Sequence, residues 1–170
     1  RSNLRQITQV ATLLTLLLTV LCTPFTDADD HRSLQPHFSK AYVDLEWGQI
    51  HLLQAIPELM TQPTLVCFPP NPFSGNYYRQ LMATLAVDRR VVALDYPGLG
   101  QSDASATWRT IGDLAELMID AIESAHLAGG QHPSVDVCGY HTGAMVAAEV
   151  AIRRPDLVRQ VVLIGGPYFA

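Results

Sequence analysis

Four short, unbroken apolar runs constrain this chain more than any other feature: TLVCF at 64–68, RVVALDY at 90–96, VDVCG at 135–139 and VVLIG at 161–165. A strand with one wet face alternates apolar and polar residues, so a brief run without alternation reads as a strand buried on both faces. Segments with helical spacing lie between the runs. GNYYRQLMATLA (75–86) carries Tyr78, Leu81, Met82 and Leu85 on one stripe. Thr110 to Ala125 carries Leu114, Leu117, Met118, Ala121 and Ile122, with Thr110 as N-cap and Asp113 placed for a capping box. Thr142 to Arg154 is alanine-rich and stops before Pro155. Strands alternating with helices imply right-handed crossovers, hence an α/β fold with a mostly parallel sheet and helices on both faces.

Upstream, AYVDLEW and QIHLLQAI flank Gly48 and read as an opening β-hairpin. Residues 1–22, RSNLRQITQVATLLTLLLTVLC, place two arginines before an apolar stretch too short to span a bilayer comfortably, a signal-like pattern. The same pattern fits a packing helix, or upstream sequence translated in frame. CTPFTDADDHRSLQPHFS (22–39) is polar and proline-bearing and reads as a linker. The expected organisation is therefore a leader and linker over 1–40 and a folded portion over 41–170. A true leader implies an exported or membrane-anchored protein, and a membrane is a partner only if the leader is retained; without it a cytoplasmic location is expected. The chain starts with Arg and stops soon after VVLIG, whose apolar edge would be left open, so a truncated chain is expected.

The chain has 170 residues, 48% of them hydrophobic, which is enough to bury one domain core. A net charge of -5, with no basic stripe, gives no electrostatic footprint for nucleic acid, and a small-molecule substrate is the expected partner. Cys22, Cys67 and Cys138 form no C-x-x-C, and the scattered histidines form no H-E-x-x-H. Neither a metal nor a cofactor is expected. Oligomeric state leaves no mark in the pattern.

Where the third run ends, GYHTG (139–143) must turn strand into helix within one residue. Such a turn forces positive φ on its central residue, here His141, which histidine tolerates better than most. Glycines on either side let strand and helix approach.

TLVCFPPNPFSG, VVALDYPGLGQSD, VCGYHTGAMVAAEVAIRRPDLV and VVLIGGP, in this order and spacing, resemble the N-terminal half of an α/β-hydrolase fold protein. The loop D-x-P-G-x-G-x-S, Asp95 to Ser102, is similar to the branch holding epoxide hydrolases, haloalkane dehalogenases and esterases. The resemblance implies that GYHTG stands where the family carries G-x-S-x-G, with His141 at the nucleophile position. It also implies an oxyanion hole whose backbone donors are Asn71 and Thr142, although the family's His-Gly before the first donor is replaced by Pro69-Pro70. The family's acid and catalytic histidine, and the lid that shapes its pocket, are expected in chain beyond Ala170.

A neutral imidazole is a nucleophile or a general base, so His141 could carry acyl transfer or activate water. Thr142 as nucleophile with His141 as base is disfavoured, because adjacent side chains on a helix diverge. Ser74 and Ser102 read as turn or capping residues. Asp95 ends a strand where some relatives use an acid, but hydrogen bonding to the PGLG turn amides is the simpler role. His126 and His132 come too early for the family's histidine and read as surface residues. Two functions stay open: a hydrolase cleaving a small-molecule ester, amide, epoxide or related bond at His141, and a non-catalytic protein of the same fold that binds a small ligand or partner.

Overall fold

The computed structural model describes residues 36–104, 108 and 110–166. The expected leader, and the linker up to residue 35, lie outside the described residues. Strands β1 (His37–Leu45) and β2 (Gly48–Ile56) pair antiparallel from His37↔Ile56 to Leu45↔Gly48. The first strand thus starts earlier than the apolar pattern suggests. Phe38 explains the extension, packing on the core with the Arg79 guanidinium 4.5 Å from its ring centre.

The remaining strands are β3 (Leu65–Phe68), β4 (Val91–Leu94), β5 (Val135–Tyr140) and β6 (Val158–Ile164). They complete a six-stranded sheet of order β1-β2-β4-β3-β5-β6. β3 runs parallel to β4 and β5, and β5 parallel to β6, while β2 and β4 are antiparallel. A 3-10 turn (Gly75–Tyr78) and helix α1 (Arg79–Leu85) join β3 to β4; α2 (Ile111–Ser124) joins β4 to β5; α3 (Thr142–Arg153) joins β5 to β6. The expected helix over 75–86 therefore opens as 3-10. Gly75 is pressed against β4, where an added Cβ would meet the Ala93 methyl at 2.9 Å.

The chain moves from β3 to β4, then doubles back past β3 to β5. With a fixed crossover hand, that reversal sends α1 to one face of the sheet and α2 and α3 to the other. Side-chain alternation sorts the core accordingly. Leu52, Val66, Val92 and Val137 pack with Met118 and Ile122 of α2 and Val146 of α3. Leu53, Leu65, Val91 and Ala93 pack with Met82 of α1. β3 and β4 are buried throughout, the reason their sequences show no alternation. The α2 capping box forms as expected, with Asp113 N–H donating to Thr110 Oγ1 at 3.1 Å and Thr110 N–H to Asp113 Oδ2 at 3.0 Å. β6 is the outer strand beyond β5, and Val161 to Ile164 are exposed along it.

Candidate functional site

β3 and β5 are neighbours whose onward connections leave in opposite directions, toward β4 and toward β6. The crevice outside the carboxyl ends of two such strands is where open α/β sheets bind ligands. The segments that follow these strands are Pro69-Pro70-Asn71 and His141-Thr142, so topology alone brings together the residues singled out in the sequence.

His141 precedes the first residue of α3 with φ 54° and ψ −114°. Its N–H donates to Ile164 O at 2.9 Å, and its carbonyl accepts from Ala144 N–H at 3.0 Å, so the strained residue is clamped on both sides. Its side chain is exposed. The flanking glycines are sterically required. A Cβ on Gly139 would collide with the Gly143 carbonyl, and a Cβ on Gly143 with the Phe68 carbonyl at the end of β3. The helix therefore starts in backbone contact with the loop after β3.

That loop is pinned by the Tyr78 hydroxyl, which donates to Phe68 O at 3.0 Å, and by Phe73 N–H donating to Pro70 O at 2.8 Å. Burial pushes the Tyr78 phenol pKa up, so it stays a donor at neutral pH. Among the described residues no hydrogen bond takes the backbone N–H of Asn71 or Thr142. Thr142 owes this to its place at the helix start, where the first N–H groups lack intrahelical acceptors.

His141 Nδ1 lies 3.2 Å from Thr142 Oγ1. Adjacent side chains were expected to diverge, but that rule needs two helical residues. The left-handed backbone of His141 swings its ring back toward Thr142. On the other flank Tyr140 stacks on Tyr77, with ring centres 5.9 Å apart and planes 5° from parallel, and Tyr77 meets Phe73 at 5.6 Å. An exposed aromatic wall thus adjoins His141, whose ring centre is 6.4 Å from that of Tyr140. This wall was missed in the sequence, since Tyr77 and Tyr140 are far apart in the chain and meet only in the folded protein.

Asp95 takes the role of a tie for its loop. Its carboxylate accepts from Gly75 N–H at 2.6 Å, from Gln101 N–H at 2.9 Å and from the His51 ring, whose Nδ1 is 2.9 Å away. Both side chains are buried, at 2% exposure for Asp95 and 5% for His51. Ser102 belongs to the same tie, its hydroxyl donating to Asp95 O and accepting from His51 N–H. Ser74 leads the 3-10 turn through its carbonyl, without a side-chain cap. His51 escaped sequence reading, although a polar residue inside the apolar run of β2 signals a buried partner.

Cys67 and Cys138 face each other across β3 and β5 with sulfurs 3.1 Å apart. The Cys138 thiol and burial push the Cys67 pKa up, which keeps it protonated and unreactive. Among the described residues no cluster of His, Cys, Asp or Glu can hold a metal ion, and no helix is long and apolar enough to cross a membrane. His126 is exposed, as expected, but His132 is half-buried, with its Nε2 shielded and unpartnered.

A family model described as alpha/beta hydrolase fold matches residues 63–170. The (E)-2-((N-methylformamido)methylene)succinate hydrolase of Acinetobacter baylyi is 32% identical over 78 residues, covering 46% of this chain and 28% of its own length. The uncharacterized hydrolase YugF of Bacillus subtilis is 32% identical over 102 residues, covering 59% of this chain and 36% of its own. The chain thus spans about a third of the length of these curated relatives. Among solved structures, a membrane phospholipase A described as a bacterial virulence factor superposes with a TM-score of 0.70 at 23% identity, over 98% of this chain and 53% of that one.

Proposed function

Because the chain belongs to the alpha/beta hydrolase fold family, we propose that it acts as a hydrolase on an ester, amide, epoxide or related bond of a small molecule, with His141 meeting the substrate. The observation that carries this reading is the backbone of His141: a non-glycine residue at φ 54°, with an exposed side chain, at the switch point of the sheet. Strain of this kind costs about 1–3 kcal/mol and clusters at functional sites. The named hydrolases among the relatives support the same reading.

The chemistry follows from the tautomer. With the proton on Nδ1, donated to Thr142 Oγ1, the Nε2 lone pair is free. Nε2 then attacks an acyl carbon, and the C=O electron pair moves onto oxygen beside the N–H groups of Asn71 and Thr142. Collapse expels the alkoxide, which takes the Nδ1 proton; water then cleaves the acyl-imidazole and restores the neutral ring. Alternatively Nε2 accepts a proton from water as the water attacks. The aromatic wall of Tyr77 and Tyr140 suits an aryl or apolar group on the substrate.

A second reading has its own observation. Pro69-Pro70 removes two N–H groups beside the proposed donors, which favours a fold that binds a small ligand or partner without turning it over. An assay of the full-length protein on a panel of aryl esters separates the two. The hydrolase reading expects turnover above background that falls about 100-fold or more in His141→Ala, with His141→Ser compared alongside. No turnover in the wild type, matched by the Ala variant, would sink it for these substrates and leave the binding reading.

A further inference from the structure

At the opposite end of the central strands, where β3, β4 and β5 begin, a groove of about 320 Å3 is lined by Gln62, Thr64, Arg90, His126, Gly130 and His132 among others, and no lining residue is acidic. Arg90 is its unusual member. Arg89, Arg153, Arg154 and Arg159 each meet a carboxylate, whereas Arg90 bonds through Nε and Nη2 to the neutral Gln54 Oε1. Burial lowers its pKa, as expected for a half-buried cation without a counter-charge. The nearby Asp136 cannot compensate it. Its register partner Leu65 belongs to the α1 face, and Arg89 and Arg159 already hold it.

His132 also lines the groove, and its Nε2 is shielded from solvent without a hydrogen-bond partner. The loop carrying it is closed by Gly129 N–H to His132 O at 2.8 Å and His132 N–H to Gly129 O at 3.1 Å. Between them the N–H groups of Gly130 and Gln131 take part in no described hydrogen bond. Guanidinium, imidazole, hydroxyl and amide groups from three chain segments thus line one groove with no acid among them. A carboxylate offers two oxygens to such a set, while a tetrahedral phosphate offers enough acceptors for all of it.

The geometry points to this groove as a binding site for a phosphate group carried by a small molecule, with Arg90, His132 and the 129–132 loop as its ligands. The six residues of β5 separate it from His141 by about 20 Å, so it is a second site and does not depend on the proposed hydrolysis.

Titration of inorganic phosphate into the protein, followed by amide NMR at ionic strength matched with sodium chloride, tests the assignment. Saturable shifts are expected at Gly129, Gly130 and Gln131, with those of His141 and Thr142 unmoved. Arg90→Gln is expected to weaken binding about tenfold or more, and acetate to bind about tenfold more weakly than phosphate. Absence of saturation, equal affinity in Arg90→Gln, equal binding of acetate, or shifts centred on His141 would overturn it. Because Arg90 also holds Gln54, His132→Ala decides if Arg90→Gln loses its native circular dichroism: weakened binding supports the site, and unchanged binding overturns it.

Discussion

At the scale of single residues, the turn at His141 rests on two glycines whose importance is steric, and Gly143 gives the sharper test. A methyl group there meets the Phe68 carbonyl, so Gly143→Ala must push α3 off the end of β3. The expected cost is about 2–3 kcal/mol, read as a lower urea midpoint at unchanged slope. Asp95→Ala is expected to cost more, about 3–5 kcal/mol, because it leaves the buried His51 ring and Gly75 amide, and with them the Gln101 amide, without their acceptor. An Asp95→Ala variant as stable as the parent would mean that water replaces the carboxylate. The position of His141 was legible because its glycines and the strand-to-helix change of period leave a local mark. The His141–Thr142 contact was not, since it depends on a backbone angle. Nor was the His51–Asp95 pair, since it depends on β2 lying beside β4.

Among the elements, α2 and the end of α3 show how separate forces set helix limits. Thr110→Ala removes half of the α2 capping box and is expected to cost about 1 kcal/mol, whereas Met118→Ala, which empties a wholly buried site under the same helix, is expected to cost about 2–5 kcal/mol. Denaturant melts of the two variants check the ranking. Beyond α3, the Arg154 guanidinium beside Asp156 holds its carboxyl down at about 2, against an ordinary 3.8. A folded-state pKa depressed in this way contributes stability that is present above the ordinary value and lost as pH falls toward 2. In Arg154→Met an NMR titration is expected to return Asp156 toward 3.8; a pKa still near 2 would assign the effect to backbone N–H groups instead. Element type and order were readable because burial on two faces and helical spacing are local patterns. The early start of β1 was not, because HFS is held by Phe38 packing on a distant part of the core. The 3-10 opening before α1 was hidden for a like reason, as the closeness of Gly75 to Ala93 is a tertiary fact.

For the whole molecule, the mismatch between what β6 is made of and what covers it has the largest consequence. VVLIG carries the composition of a strand buried on two faces, yet Val162 is 51% exposed and Leu163 53%. Next to it an apolar groove of about 410 Å3 is lined by Ile111, Met145, Ala148, Ile152 and Leu163. A strand at the rim of a sheet also presents unpaired N–H and C=O groups, and apolar side chains on it do nothing to repel another copy. The chain of residues 1–170 is therefore expected to self-associate through β6 in a concentration-dependent way. A single charge on that edge opposes both the strand pairing and the apolar contact, since it would have to be desolvated in either. Val162→Lys is expected to shift the population toward monomer in sedimentation velocity, with the far-ultraviolet circular dichroism unchanged because the site is half open already. The same substitution on the buried neighbour strand, Val137→Lys, is expected to unfold the chain instead, since Val137 sits in the core under α2 and α3. If Val162→Lys left the concentration dependence as it was, the contact would run through another apolar surface, such as the exposed Leu59 and Met60 or the aromatic wall at Tyr77, and the composition of β6 would need another explanation.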